Sequence, residues 1–350
     1  MTAGRDMSGV RTILVTGAAG GLGHRLCRIL SARGYQVYGL VRPEDDCRRL
    51  ELPKEQVYVG YVQDYSCVAR AMDGIDVVVH CAALLPDSSD APPAAFHQVN
   101  VDGTASVVRA AIAHQTKYFF AMSTISVVDH VTQTIGPREL LQYVSATDDA
   151  YLSSKVAAER LLFSVRPGYS GELMILRLAY VYGPGNFAVW RRPFQFLEAG
   201  KLRLINNGSA LLPLIHADDI GRFIVRSLTQ RPSRGYDGIH ILASPQVPTL
   251  RMVFDFVADA LGLAHAGSVP LWAAHLGAAV ASAVPRRFRK GRLEMLTPAR
   301  VQQFSRGYDL SAVLDRSVLD DLHMTDYRDG FREMLADYVT SERTGKAFVR

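Results

Sequence analysis

Short apolar runs alternate with longer amphipathic stretches in the first half of the chain. Runs rich in β-branched and aromatic residues predict buried strands at Ile13–Val15, Val37–Val41, Val57–Val59, Val77–Val79, Tyr118–Ala121 and Met174–Leu176. The stretches between them predict helices at Leu22–Arg33, Tyr65–Met72, Phe96–Ala113 and Ala150–Ser164. This alternation is typical of βαβ units, so we predict an α/β fold with a Rossmann-type doubly wound parallel sheet.

The alternation weakens in the second half of the chain. There the sequence predicts two further strands and a capped helix, at Lys201–Ile205, Ile239–Leu242 and Thr249–Leu261. We predict a disordered N-terminus over 1–10 and a dinucleotide-binding domain over 11–186, to which segments at about 215–245 return. A smaller C-terminal substrate lobe, built from 187–214 and 246–350, is expected to cover the carboxyl edge of the sheet, where open α/β sheets bind ligands.

Composition narrows the classes of function. The 350 residues are 48% hydrophobic and 21% charged, which excludes a disordered, collagen-like or coiled-coil chain. A net charge of +5 is too small to make nucleic acid the main partner. The four cysteines lack C-x-x-C spacing, so we interpret them as free thiols, expect a cytoplasmic protein and assign no metal site.

One apolar stretch near the C-terminus leaves two interpretations open. Leu271–Val284 is an Ala-rich helix too short to span a membrane, and Arg286, Arg287, Arg289 and Lys290 follow it. Residues 271–290 therefore either contact a membrane surface peripherally or form a lid or core helix with a solvated basic end. We prefer the lid or core interpretation.

A glycine-rich loop joins the first predicted strand to the first helix. The sequence T-G-A-A-G-G-L-G at 16–23 has the spacing G-x-x-G-x-x-G in the strand–turn–helix context of a dinucleotide fingerprint. Glycines there permit the tight turn, the close approach of the backbone to a pyrophosphate and the packing of the helix on the sheet. We predict that a dinucleotide contacts Gly17, Ala19, Gly20, Gly21, Leu22 and Gly23.

The end of the second strand indicates which dinucleotide is bound. An acidic side chain there would accept the ribose hydroxyls of NAD, but this chain has Arg42, whose planar cationic fork suits a 2′-phosphate. We therefore predict NADP as the cofactor, and NAD stays open. The alternative is a surface ion pair between Arg42 and Asp45 or Asp46, which leaves the choice of cofactor undecided.

Polar residues with catalytic potential follow the fifth strand and begin the fourth helix. Tyr151 and Lys155 stand four residues apart in a helical stretch, so they share one face. We expect the ammonium to lower the pKa of the phenol and make it a general acid or base. Ser123 and Thr124 end the strand with hydroxyls that can polarise a carbonyl oxygen.

Together these motifs resemble those of the extended short-chain dehydrogenases/reductases, the NAD-dependent epimerase/dehydratase superfamily. The resemblance covers most of the chain and is closest in character to members like 3β-hydroxysteroid dehydrogenase and dihydroflavonol reductase. Besides the glycine loop it rests on V-V-V-H-C-A-A at 77–83, V-N-V-D-G-T at 99–104, S-T-I-S-V-V at 123–128, Y-L-S-S-K at 151–155, R-L-A-Y-V-Y-G-P-G at 177–185 and I-H-A-D-D at 215–219.

The resemblance implies a role for each matching residue. Tyr151 would transfer the proton, Lys155 would lower the pKa of the tyrosine and hold the nicotinamide ribose, Thr124 would bind the reacting oxygen, and Asn100 would support a proton relay. Ser123 would serve the backbone or the cofactor instead. Further cofactor contacts are implied for Val62, Asp64, His80, Cys81, Ala82, Ala83, Tyr180 and Val181. The resemblance also suggests a homodimer.

Departures from the family pattern guide the choice of reaction. Leu212 and Pro213 stand where sugar-nucleotide enzymes usually carry Arg-Asp, which removes a clamp for the diphosphate. Thr124-Ile125-Ser126 lacks the carboxylate of the dehydratase branch. Tyr61 replaces the aspartate that usually contacts adenine. The first two departures disfavour dehydration of a sugar nucleotide, and the third implies that adenine is held differently. We expect a largely apolar small-molecule substrate, because Leu212, Phe187 and Trp190 could help to build a hydrophobic cleft.

We therefore predict an NADP(H)-dependent oxidoreductase that transfers hydride between the nicotinamide and a ketone, aldehyde or secondary alcohol. The candidate substrate residues are Leu84, Ser126, Tyr182, Phe187, Trp190 and Leu212. Ordinary core packing is the alternative for the apolar ones among them. Two other functions stay open: a non-catalytic NADP-sensing regulatory protein, and a sugar-nucleotide epimerase with retained NAD, in which the diphosphate would bind Arg177, Arg191 or Arg203.

Overall fold

The computed structural model describes residues 9–86, 91–128, 142–144, 149–230, 237–284, 297–310, 313–314, 319 and 322–343. In chain order the strands are β1 Thr12–Thr16, β2 Gln36–Val41, β3 Val57–Val59, β4 Val77–His80, β5 Tyr118–Thr124, β6 Glu172–Leu178, β7 Tyr180–Tyr182, β8 Arg203–Ile205, β9 Leu214–His216, β10 Gly238–Leu242 and β11 Gly267–Val269. The helices are α1 Gly21–Ala32, α2 Tyr65–Ala71, α3 Pro93–His97, α4 Gly103–Ala113, α5 Ala150–Val165, α6 Arg191–Glu198, α7 Ala217–Thr229, α8 Leu250–Leu261, α9 Leu271–Ala283, α10 Pro298–Arg306 and α11 Tyr327–Arg343.

Seven parallel strands form the central sheet, in the order β10-β6-β5-β4-β1-β2-β3. The predicted α/β Rossmann-type fold is confirmed. The first half of the chain supplies six strands, and the seventh is the later run Ile239–Leu242, within β10. Strand order reverses beside β1, because the chain moves to β2 on one side and to β4 on the other. Ligands of open α/β sheets bind at such a reversal.

The sheet is apolar on both faces because helices cover both. Ile13 and Val15 of β1 pack in the same cluster as residues of α1 and α7, whereas Leu14 between them packs with residues of α2 and α4. Successive side chains of a strand point to opposite faces, so a strand covered on both sides needs a continuous apolar run. This explains why the strands were visible as short runs without polar alternation.

A second hydrophobic cluster lies in the C-terminal part of the chain. Tyr182, Phe187, Trp190 and Phe194 pack there with apolar residues of α8 and α11. Phe331 of α11 stacks on Tyr182 with ring centroids 4.9 Å apart. Two small parallel sheets, β8 with β11 and β7 with β9, accompany this cluster. The predicted domain boundaries stay predictions.

The predicted helix Phe96–Ala113 is interrupted. Residues Gln98–Asp102 form a π-helical turn between α3 and α4, so one hydrophobic pattern covers three backbone segments. π-Helical turns occur mostly as single insertions, frequently at functional sites. The turn carries Asn100, one of the predicted site residues.

Candidate active site

The loop after β1 has the shape that a dinucleotide needs. Gly17 has φ of +67°, and a Cβ added to it would lie 2.8 Å from the Cα of Ala82. A Cβ at Gly23 would collide with the carbonyl of Gly17. Gly20 caps α1 without a side chain, so the first N–H groups of the helix receive no acceptor from their cap residue. These residues fit a pyrophosphate at the helix N-terminus.

The segment after β4 runs beside this loop. The N–H of Cys81 donates to the carbonyl of Thr16 at 3.2 Å, and that of Ala82 donates to the Thr16 hydroxyl at 3.3 Å. His80 binds the hydroxyls of Thr16 at 2.7 Å and Thr104 at 3.0 Å. Burial lowers the pKa of His80 to about 3, so the ring is neutral and links β1, β4 and α4 structurally.

Arg42 forms an ion pair with Asp45, which was the alternative to binding a 2′-phosphate. Its guanidinium donates to one carboxylate oxygen of Asp45, with distances of 3.0 Å from Nε and 2.6 Å from a terminal nitrogen, and Glu44 lies 3.3 Å away. Because the Arg42 side chain is 43% exposed, solvent screens this pair to a contribution of only ~0–1 kcal/mol, so a phosphate can compete for the guanidinium. The assignment of Arg42 to NADP stays a prediction.

Two of the predicted cofactor-binding residues, Asp64 and Val62, have structural contacts. The carboxylate of Asp64 accepts from the N–H groups of Ser66 at 2.9 Å and Cys67 at 3.3 Å, and so caps α2. Val62 is buried, and a Cβ at Gly103 would collide with it. Their cofactor contacts stay predictions.

Tyr151 and Lys155 lie on one face of α5, which Asp149 caps by accepting from the N–H of Leu152 at 3.0 Å. The buried ammonium of Lys155 donates to the carbonyl of Met122 in β5 at 2.6 Å. Burial lowers the pKa of Lys155 to about 8, against the opposing negative charge of Glu159.

The pKa of Tyr151 shifts opposite to our expectation. Burial raises it above its ordinary value, and the negative charge of Asp149 adds to the rise. Helical spacing placed Lys155 on the correct face, but its ammonium is directed to the Met122 carbonyl. The phenol therefore keeps its proton at neutral pH, as a general acid requires.

The amide of Asn100 joins two segments of the site. Its Oδ1 accepts from the N–H of Leu84 at 2.7 Å, while Nδ2 donates to the carbonyl of Leu84 at 3.1 Å and to the hydroxyl of Ser154 at 2.9 Å. The Ser154 hydroxyl donates to the carbonyl of Tyr151 at 2.6 Å. Asn100 thus holds the segment after β4 against the first turn of α5.

The two adjacent hydroxyls at the end of β5 have different partners. Thr124 is half-buried, and its Oγ1 accepts from the N–H of Ser126 at 3.2 Å. Ser123 is buried and donates to the carboxylate of Glu159. Ser123 therefore serves neither backbone nor cofactor in this contact, which corrects its expected role. Of the two hydroxyls, Thr124 has the greater access to a ligand.

A buried ion pair lies behind these residues. Arg177 of β6 is fully buried, and its guanidinium binds the Glu159 carboxylate with a shortest distance of 2.6 Å. Tyr143 donates to the same carboxylate at 3.0 Å, beside Ser123. Arg177 cannot also hold a diphosphate in this position, which removes one of the three arginines on which the epimerase alternative depends.

The NAD-dependent epimerase/dehydratase family model matches residues 13–240. The chain belongs to this family. A ketoreductase of Stigmatella aurantiaca named for 4-hydroxy-2-methyl-3-oxo-4-farnesyl-3,4-dihydroquinoline-1-oxide is 26% identical over 270 residues, covering 75% of this chain and 78% of that protein. A 3β-hydroxysteroid dehydrogenase/Δ5→4-isomerase of Mycobacterium tuberculosis is 29% identical over 199 residues, covering 55% of this chain and 53% of that protein.

A solved structure of the same fold has a bound cofactor. The Bordetella bronchiseptica enzyme WbmH, determined in complex with NAD+, superposes with a TM-score of 0.68 and 20% identity, covering 97% of this chain and 100% of that chain. At this identity the likeness shows the fold alone. The family match and the steroid dehydrogenase relative confirm the predicted resemblance to the extended short-chain dehydrogenases/reductases.

Most of the predicted substrate residues lie in the part of the chain that packs around the second hydrophobic cluster, which we call the second lobe. Tyr182, Phe187, Trp190 and Leu212 are buried in its hydrophobic cluster, as the core-packing alternative describes. Leu84 and Ser126 are only partly buried. The assignment of all six to substrate stays a prediction.

Sequence reasoning missed two polar residues near the end of β5. Gln303 of α10 donates to the hydroxyl of Tyr180 at 2.6 Å and to that of Tyr308 at 3.2 Å. Tyr308 also shares a hydrogen bond with Ser126, two residues from Thr124. No motif marks Gln303 or Tyr308, because only the tertiary fold brings them to Tyr180.

Proposed function

We propose that this protein is an NADP(H)-dependent reductase or dehydrogenase that interconverts a ketone or aldehyde with the corresponding alcohol on a largely apolar substrate. The observation that carries the proposal is the placement of Tyr151 and Lys155 on one face of α5, with the Lys155 ammonium held at the end of β5 that presents Thr124. The glycine loop follows β1, which lies two strands from β5 in the same parallel sheet.

Each residue has a defined task in the proposed reduction. A nicotinamide coenzyme supplies the hydride when it is bound. The Thr124 hydroxyl hydrogen-bonds the carbonyl oxygen and orients it. Tyr151 donates its proton to that oxygen as negative charge develops there, and the Lys155 ammonium stabilises the phenolate that remains. Asn100 keeps the segment after β4 and the first turn of α5 together.

We infer the apolar substrate from the absence of the arginine clamp at 212–213 and from the names of two relatives. Leu212 and Pro213 replace the arginine clamp of sugar-nucleotide enzymes, and Arg177 is committed to Glu159. One relative is named for a farnesylated ketone, and another is named for a steroid alcohol. Both names describe apolar molecules in which one oxygen-bearing carbon is oxidised or reduced.

A substrate panel tests this proposal. We expect steady loss of NADPH absorbance with long-chain or polycyclic ketones, and formation of the alcohol in equal amount. UDP-sugars should cause neither cofactor loss nor epimerisation. Release of an epimerised sugar with the cofactor unchanged would favour the epimerase, and cofactor binding without turnover of any carbonyl compound would favour the sensor.

The pH dependence of reduction should report Lys155. Because its ammonium is required and its pKa is about 8, kcat should be constant below that pH. Above it the protonated fraction falls, and kcat should decrease about tenfold for each further pH unit. Steady-state rates across the alkaline range measure this, with circular dichroism as a control for folding. A profile that stays flat well above the pKa of Lys155 contradicts the assignment.

Arg42→Ala should separate the two cofactors. Loss of a charge-assisted contact to the 2′-phosphate should weaken NADPH binding by about 10- to 100-fold and leave NADH binding within about twofold. Titration of each cofactor by calorimetry measures the difference. Arg48→Ala, which removes a nearby arginine paired with Asp46, is the matched control and should change neither affinity. Equal weakening of both cofactors by Arg42→Ala would show that this residue does not bind the phosphate.

A further inference from the structure

The helix α9 packs on the second lobe through small residues alone. Ala274, Ala278 and Ala281 are buried. Ala274 and Ala278 form a cluster with Val301 of α10, joined by Ile205 and Val269 of the small β8–β11 sheet. Their spacing places them along one face of the helix. That face is fully occupied by the lobe, so the helix is anchored to the folded part of the chain.

The opposite face of α9 is apolar and exposed. Trp272 is 70% exposed, Leu276 59% and Val280 58%. A spacing of four residues aligns them in one stripe, which we call the outer stripe. The helix contains no Asp, Glu, Lys or Arg. Our preferred interpretation of a lid or core helix does not explain this stripe, since a core helix buries its large side chains rather than its alanines.

The charge of the following sequence indicates what covers the outer stripe. The chain continues from α9 into residues 285–296, outside the part that the structure describes, with the sequence P-R-R-F-R-K-G-R-L-E-M-L. These twelve residues carry five cations and one anion. Exposed tryptophan and aliphatic side chains next to a basic run are the combination that binds an anionic lipid surface.

Among the described residues, no helix has the length and hydropathy to cross a membrane. We propose that the outer stripe of α9 binds the surface of an anionic phospholipid membrane, with Trp272, Leu276 and Val280 inserted at the level of the headgroups. Binding through this face leaves the alanine face on the lobe undisturbed. Membrane binding does not depend on the proposed reaction, but it would place the second lobe where an apolar substrate partitions.

The chain contains its own reporter for this contact. It has two tryptophans, and Trp190 is only 3% exposed in the core of the second lobe. A change in emission on adding lipid therefore reports Trp272. With the full chain and phosphatidylcholine vesicles that contain phosphatidylglycerol, we expect a blue shift of the emission and cosedimentation of the protein. Vesicles of phosphatidylcholine alone should give much weaker binding.

Paired variants make the test specific. Leu276→Ser with Val280→Ser retains Trp272 and should weaken cosedimentation with the anionic vesicles by about tenfold or more. Met252→Ser, which changes an exposed apolar residue of α8, is the matched control and should bind as the unchanged chain does. Turnover of a short, water-soluble ketone without vesicles should be the same in all three proteins.

Four results would overturn the proposal. The first is that the unchanged chain does not cosediment with anionic vesicles, and the second is that it binds neutral and anionic vesicles equally. The third is that Met252→Ser weakens binding as much as the stripe variant does. The fourth is that the unchanged chain forms a dimer in buffer and the stripe variant dissociates it. The last result would assign the stripe to a second copy of this chain. Absence of ketone turnover alongside normal vesicle binding would refute the proposed reaction and leave the membrane contact intact.

Discussion

Replacement of Tyr151 by phenylalanine should lower kcat for ketone reduction by about 10²–10⁴-fold, the range expected for loss of a positioned general acid. The change removes only the hydroxyl. Because burial raises the pKa of this phenol, the phenol holds its proton at neutral pH and can donate it to the substrate. Cofactor affinity should change by less than about threefold, so the loss belongs to the chemical step.

The matched control is Tyr169→Phe. Tyr169 is buried, and its hydroxyl shares a hydrogen bond with that of Thr116 at 2.9 Å. Its loss should leave kcat within about twofold, because Tyr169 packs with the helices on one face of the sheet and away from the Thr124 end of β5. Steady-state kinetics and cofactor titration on both variants measure the contrast. Comparable kcat values for Tyr151→Phe and Tyr169→Phe would rule out Tyr151 as the acid.

Replacement of Arg177 by methionine should destabilise the fold by about 3–5 kcal/mol, since it leaves the Glu159 carboxylate buried without its cation. Ser123 and Tyr143 still donate to that carboxylate but cannot balance its charge. The double replacement Arg177→Met with Glu159→Leu removes both charges and should recover most of the lost free energy of unfolding.

Urea unfolding followed by tryptophan emission measures these differences. Arg166→Met is the matched control, because Arg166 pairs with Asp237 near the surface, at 2.7 Å. Its loss should cost less than about 1 kcal/mol. If Arg177→Met unfolds at the same urea concentration as Arg166→Met, the buried pair does not stabilise the junction of α5 and β6.

The local sequence pattern predicted those helices and strands that are determined by their own residues rather than by contacts elsewhere in the fold. The buried strands were visible because helices cover both faces of the sheet and most strand residues pack against apolar neighbours. The break in the helix Phe96–Ala113 was missed, because a π-helical turn inserts a residue without changing the hydrophobic pattern enough to be seen. Its cause is tertiary: Asn100 must reach both Leu84 and Ser154.

The predictions for the site also divide into those that the local sequence determines and those that depend on the tertiary fold. The glycine loop and the Tyr151–Lys155 spacing are local, and the sequence placed both correctly on the fold. Side-chain partners are not local, so the contacts of Lys155 with Met122 and of Ser123 with Glu159 were not foreseen. The contact of Gln303 with Tyr180 joins residues 123 positions apart.

Transfer of deuterium tests the central claim most directly. NADPH that carries deuterium on the reactive face of nicotinamide C4 is incubated with this protein and a long-chain or polycyclic ketone, and the product is analysed by mass spectrometry. The account predicts one deuterium on the carbinol carbon of the alcohol for each NADPH oxidised. An alcohol without that deuterium, or NADPH recovered unchanged with every ketone offered, would contradict it.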